Sequence, residues 1–87
     1  MRESELEKKL VSHITKLGGM AYKFSSPNRR SVPDRLCVMP NGRAFFVELK
    51  TEGKAPTPLQ LHEHEILRSL GHTVLVIDNL EDVYAIA

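Results

Sequence analysis

Leu6, Leu10, Ile14 and Leu17 recur every three or four residues, and Val11 widens their stripe. That is the period of a helix with one buried face, and Gly18-Gly19 supplies its stop. Met20 to Phe24 then reads as a short strand, followed by a polar, turn-rich loop, Ser25-Ser26-Pro27-Asn28-Arg29-Arg30-Ser31. Leu36 to Met39 and Ala44 to Lys50 are two further apolar-rich runs. Pro40-Asn41-Gly42 between them is a tight-turn signal, so the pair is predicted to fold as a hairpin. Thr57 before Pro58 gives an N-cap with proline at the first helical position. Leu59, Ile66, Leu67 and Leu70 then mark the face expected to be buried, and Gly71 the end. Thr73 to Ile77 is a nearly continuous apolar run, as expected of a strand covered on both faces, and Asp78 or Asn79 caps a short final helix reaching Ile86. The expected architecture is α/β: helix, three-stranded antiparallel meander, helix, strand and short terminal helix, with a mixed sheet and flanking helices.

Eighty-seven residues, 41% hydrophobic and 26% charged, fit one globular domain spanning 1–87, with neither the low hydrophobicity nor the high net charge of a disordered chain. No run approaches the roughly 20 apolar residues of a membrane span, and the start of the chain has no apolar signal region, so a cytoplasmic protein without a membrane partner is expected. Cys37, the only cysteine, can form neither an internal disulfide nor a cysteine zinc site, and reads as a small buried hydrophobe.

The net charge of +1 conceals a division. From Lys8 to Val47 there are eight basic residues and one acid, whereas from Glu48 onward three basic residues face seven acids. This asymmetry points to a polyanion on one face, with Arg29, Arg30, Arg35 and Lys23 as candidate phosphate contacts.

The chemistry concentrates at Pro33-Asp34 and Glu48-Leu49-Lys50. Thirteen residues separate Asp34 from Glu48, and the hairpin between them returns the chain so that the two acids approach each other. Residues two apart on a strand share a face, so Glu48 and Lys50 project together while Val47 and Leu49 project to the other side. Two carboxylates suit a hard cation such as Mg²⁺, which keeps waters and takes further oxygens from a phosphate substrate. A lysine beside them can position a water or stabilise charge developing on a phosphodiester.

These residues, Pro33-Asp34 followed by Glu48-Leu49-Lys50 on a hairpin behind a helix, resemble the PD-(D/E)XK nuclease superfamily. Arg29-Arg30-Ser31-Val32-Pro33-Asp34-Arg35, Phe46-Val47-Glu48-Leu49-Lys50 and Pro58-Leu59-Gln60 resemble its compact VRR-NUC domain over nearly the whole chain. The resemblance implies a Mg²⁺- or Mn²⁺-dependent DNA endonuclease of branched DNA such as four-way junctions. It implies Asp34, Glu48 and the Leu49 carbonyl as metal ligands, Lys50 as catalytic lysine and Gln60 beside them. Ser31 departs from the pattern, since the family is expected to prefer glycine there. The family also brings a glutamate from the first helix. With Leu6 at zero, Glu3 falls near about 60° and Glu7 near about 100°, both on the apolar side, whereas Glu5 falls near about −100°. Glu7 is preferred over Glu3. His62 and His64, two apart on a helix, face different ways and are not read as a metal pair. A homodimer is expected, because paired cuts on a symmetric substrate need two such sites and a small domain gains from burial between subunits.

Overall fold

The computed structural model describes residues 1–87, in the order α1 (Glu3–Lys16), β1 (Met20–Lys23), β2 (Arg35–Val38), β3 (Ala44–Leu49), α2 (Pro58–Ser69), β4 (Val74–Ile77) and α3 (Leu80–Tyr84). The strands form one sheet in that order. β1, β2 and β3 run antiparallel, and β4 joins β3 in parallel, as the helical crossover through α2 permits. This is the expected mixed sheet with flanking helices.

The two faces of the sheet have different contents. Cys37, Phe45, Val47 and Leu49 point to one side, where Leu6, Leu10 and Ile14 of α1 and Val83 of α3 complete a buried apolar cluster. Each such side chain contributes about 1.5–3 kcal/mol when fully buried, so this layer holds the domain together. The alternate residues Phe46, Glu48 and Lys50 point to the other side, beneath α2. Phe46 packs there against Phe24 and His72, with ring centroids 5.3 and 6.0 Å apart.

α2 departs from the sequence expectation. Leu59 and Leu70, at its two ends, are exposed, and its buried residues are Glu63 and His64. The physical reason is what lies under it: α2 covers the carboxylate-bearing side of the sheet, so its inward face is polar. β4 is also less enclosed than expected. It is an edge strand with Val74 and Ile77 buried but Val76, on the same sheet face as Glu48, exposed. No helix is long and apolar enough to cross a membrane.

Three local features fix the hairpin and the loop before it. The Met39 amide donates to the Arg43 carbonyl at 2.7 Å and closes a three-residue connection, Pro40–Gly42, in which Asn41 and Gly42 have positive φ, the conformation that asparagine and glycine tolerate best. At Gly19 a Cβ would lie 2.7 Å from the Val38 carbonyl oxygen, so the α1–β1 connection tolerates only glycine against β2. Ser31 has φ of 66°, the left-handed region in which a side chain is strained, three residues before Asp34. The expected family preference for glycine at this position thus has a backbone cause.

Ser31→Gly relieves a penalty of about 1–2 kcal/mol but adds unfolded-state freedom of about 0.5–1 kcal/mol. The expected result in urea unfolding is a stabilisation below about 1 kcal/mol. A destabilised Ser31→Gly would mean that the serine side chain contributes more than its backbone costs.

Candidate active site

Asp34 immediately precedes β2, and Glu48 is the fifth residue of β3. The last paired residues of this hairpin are Arg35 and Val47, so Asp34 and Glu48 stand opposite each other one step further along the ladder. Asp34 Oδ2 accepts a 2.7 Å hydrogen bond from the Leu49 amide, and the Asp34 carbonyl accepts one of 2.9 Å from the Phe24 amide. The Asp34 carboxylate therefore satisfies a strand-end donor that would otherwise need water. Beyond β3, Asp78 accepts from the Gly53 amide at 3.1 Å, tying the loop after Lys50 to the end of β4.

Glu48 is only 1% exposed. Its Oε1 lies 3.2 Å from His64 Nε2, its Oε2 accepts a 3.4 Å bond from Gln60 Nε2, and Asp34 stands beside it across the hairpin end. Burial first, and the Asp34 carboxylate second, push Glu48 up to about 8, against the opposing pull of Lys50. Burial, followed by the charges of Arg68 and Lys50, lowers His64 below its usual 6.5. Both partners are thus uncharged near neutral pH, and the Glu48–His64 contact is a hydrogen bond between neutral groups rather than an ion pair. Lys50 reaches Glu48 and His64 through its field without forming an ion pair of its own.

Asp34, Glu48, Lys50 and Gln60 are therefore brought together. Gln60 serves twice, because its side-chain oxygen also accepts from the Thr57 amide at 2.9 Å while its own amide bonds the Thr57 hydroxyl at 3.2 Å. This capping box starts α2 at the site. Leu49 ends β3 with its side chain in the apolar core.

The other sequence candidates lie elsewhere. Glu7 is ion-paired with Arg35 at 3.1 Å, and the α1 carboxylate whose charge acts on Glu48 is Glu3. The two are one helical turn apart: Glu3 is exposed at the start of α1, while Glu7 faces the flank of β2. Arg35 donates to Glu7 and to the Ala21 carbonyl at 2.9 Å, so it braces α1 against β1 and β2 instead of offering a free cation. Arg29 is ion-paired with the nearly buried Glu63 at 2.6 Å, which ties the loop before Asp34 to α2. Lys23 stands opposite Arg35 in the register and so projects to the α1 side, away from Glu48. Arg30 is exposed and has no acidic partner.

Sequence reasoning missed His64 and Glu63. The available signal is the spacing of Gln60 and His64, four apart and hence on one helical face.

Half-buried Asp34 and buried Glu48 face each other across the hairpin end, and two carboxylates so placed fit a divalent cation. No group of three His, Cys, Asp or Glu side chains forms a ready-made cage. Two carboxylates with room for water and substrate oxygens match Mg²⁺ or Mn²⁺ rather than tetrahedral zinc. The largest concavity, about 640 Å³ between β4 and α3, contains none of these residues.

No family model matches the chain. It is 57% identical over 79 residues to "Putative nuclease p44" of Acyrthosiphon pisum secondary endosymbiont phage 1, covering 91% of this chain and 85% of that protein. It also superimposes on a solved structure described as "VRR_NUC domain" with a TM-score of 0.89 and 36% identity, over 93% of this chain and 88% of the other.

The Glu48 shift has a consequence for stability. Between its ordinary 4.5 and about 8 the folded protein holds a proton that the unfolded chain has released, so metal-free stability falls as pH rises through that window. His64, held below 6.5, acts in the opposite sense at lower pH, but it is present in both proteins and largely cancels in their difference. Glu48→Gln is expected to be more stable than the parent at pH 8 by at least about 1 kcal/mol in EDTA, with the difference shrinking towards pH 5. Parallel stability–pH curves for the two proteins would contradict this.

Proposed function

This chain belongs to the VRR-NUC nuclease family, and we propose on that footing that it is a Mg²⁺- or Mn²⁺-dependent endonuclease that cuts branched DNA. The observation that carries the reading is the placement of Asp34 opposite the buried Glu48, flanked by Lys50, at the open end of the β2–β3 hairpin. Asp34 and Glu48, with the Leu49 carbonyl, would hold the cation. When bound, it supplies positive charge to a phosphodiester and lowers the pKa of an attacking water. Lys50 carries a positive charge next to both acids and stabilises the negative charge that grows on the phosphate during attack. Gln60 fixes one Glu48 oxygen. Glu3 contributes the α1 carboxylate in place of Glu7, whose charge is committed to Arg35.

The working unit is a symmetric homodimer, since one constellation cuts one strand and a four-way junction needs two cuts related by a two-fold axis. The sequence offers two surfaces for it, the apolar side of α1 and the final strand. Leu6, Leu10 and Ile14 of α1 are already in the core, which leaves the unpaired edge of β4 with its exposed Val76.

Plasmid and four-way junction DNA incubated with Mg²⁺, Mn²⁺ or EDTA test the reading. Cleavage is expected only with metal, and Asp34→Ala, Glu48→Ala and Lys50→Ala are each expected to lower the rate by about 10²-fold or more. Full activity in any folded variant removes the assignment of that residue. Paired nicks on the junction together with a dimer in sedimentation support the symmetric unit; a single nick made by a monomer leaves a simple nicking enzyme.

The arginines separate in a salt titration of DNA binding. Arg30→Ala is expected to lower the slope of log K against log salt by about 1. Arg35→Ala is expected to leave the slope unchanged and to lower stability instead, because its guanidinium is spent on Glu7 and Ala21. A reduced slope in Arg35→Ala would show that the Glu7 pair opens onto DNA.

A further inference from the structure

His64 is the side chain that the proposed chemistry does not use and the fold does not require. It is 0% exposed, sits in the middle of α2 on the inward face, and directs Nε2 to Glu48 Oε1 at 3.2 Å. Its other nitrogen, Nδ1, is buried without any hydrogen-bond partner. A leucine of similar volume would remove that unpaired polar atom, and burying such an atom costs about 1–3 kcal/mol. That cost opposes what the buried bond to Glu48 contributes, so stability alone does not select a histidine at this position.

The compensating gain lies at Glu48. Gln60, one turn earlier on the same face, bonds Oε2 at a long 3.4 Å, and the Asp34 carboxylate beside it repels the ionised form. His64 is the fully enclosed partner, held by the helix backbone with no freedom to follow solvent. Together the two α2 side chains grip one oxygen each and fix the plane of the carboxylate. An ionised Glu48 can accept from His64 only if Nε2 carries the proton, so Nδ1 remains a bare lone pair, consistent with its lack of an acceptor nearby.

We propose that His64 is a positioning residue: it holds the Glu48 carboxylate in the orientation that binds the divalent cation, at the expense of an unsatisfied buried nitrogen. This rests on the reading of Asp34 and Glu48 as metal ligands. Partners that orient a ligating carboxylate contribute about 10–100-fold in metal affinity.

The test is the binding of Mn²⁺ alone, without DNA, followed by the loss of the free-ion electron paramagnetic resonance signal. His64→Leu is expected to melt within a few degrees of the parent in EDTA, because loss of the Glu48 bond and loss of the unpaired Nδ1 oppose each other, and to bind Mn²⁺ about 10–100-fold more weakly. His64→Gln places an amide donor at the Nε2 position and is expected to restore affinity to within a few-fold. His64→Asn, polar but too short to reach Glu48, is expected to resemble His64→Leu. This Asn and Gln pair also decides the matter if His64→Leu does not fold. Equal Mn²⁺ affinity in the parent and His64→Leu, or in His64→Asn and His64→Gln, overturns the proposal. A parent protein that binds no Mn²⁺ removes the metal reading itself, and the role of His64 with it, a result distinct from binding that is indifferent to residue 64. Nitrogen-15 spectra of the imidazole with Mg²⁺ bound give a second readout: a proton on Nε2 is expected, and one on Nδ1 contradicts the proposed bond.

Discussion

A carboxyl group buried beside a second carboxyl governs how this molecule is built. Glu48 can lie at 1% exposure only if something answers its charge, and in the free protein a proton does so. The surrounding structure follows from that need. Asp34 is held in place by the Leu49 amide, α2 presents Gln60 and His64 instead of leucines, and Lys50 supplies a positive field without closing an ion pair. A full ion pair with Lys50 would satisfy Glu48 better in the free protein, but it would leave less for an incoming cation to gain.

The sheet makes this arrangement affordable by dividing its two faces. Strand alternation sends Phe45, Val47 and Leu49 into the apolar layer with α1 and α3, and the intervening Glu48 to the α2 side, so a fully apolar core and a polar cluster share one strand. The ion pairs outside the cluster brace this frame. Arg35 with Glu7 ties α1 to the sheet, and Arg29 with Glu63 ties the loop carrying Ser31 to α2. Two of the cations most conspicuous in the sequence are therefore engaged within the fold, while Arg30 at the loop tip is left outward.

The element order, the hairpin and the shared face of Glu48 and Lys50 were legible because each depends on local rules: helical period, Asn-Gly turn chemistry and strand alternation. The inward face of α2 was not. Periodicity assigns burial to leucines, and here the helix lies over acids, so Leu59 and Leu70 stay exposed while Glu63 and His64 go inside. Glu3 and Glu7 were equally hard to separate, since both fall on the sheet side of α1. Their difference is a matter of height along the axis, which an angular projection discards. The roles of Arg29 and Arg35 depended on finding their acidic partners, Glu63 and Glu7, 34 and 28 residues away along the chain.

Gln60 shows how a single letter can be decided by two grammars at once. As the third residue of α2 it closes the capping box with Thr57, a role that glutamate fills as well as glutamine. The same side chain, however, donates its amide hydrogen to Glu48. A glutamate there would write the same helix but set a third acid beside Glu48 and Asp34. Helix grammar leaves a synonym open at this position, and the electrostatics next door removes it, so the boundary between folding code and chemical code in this chain runs through one amide group.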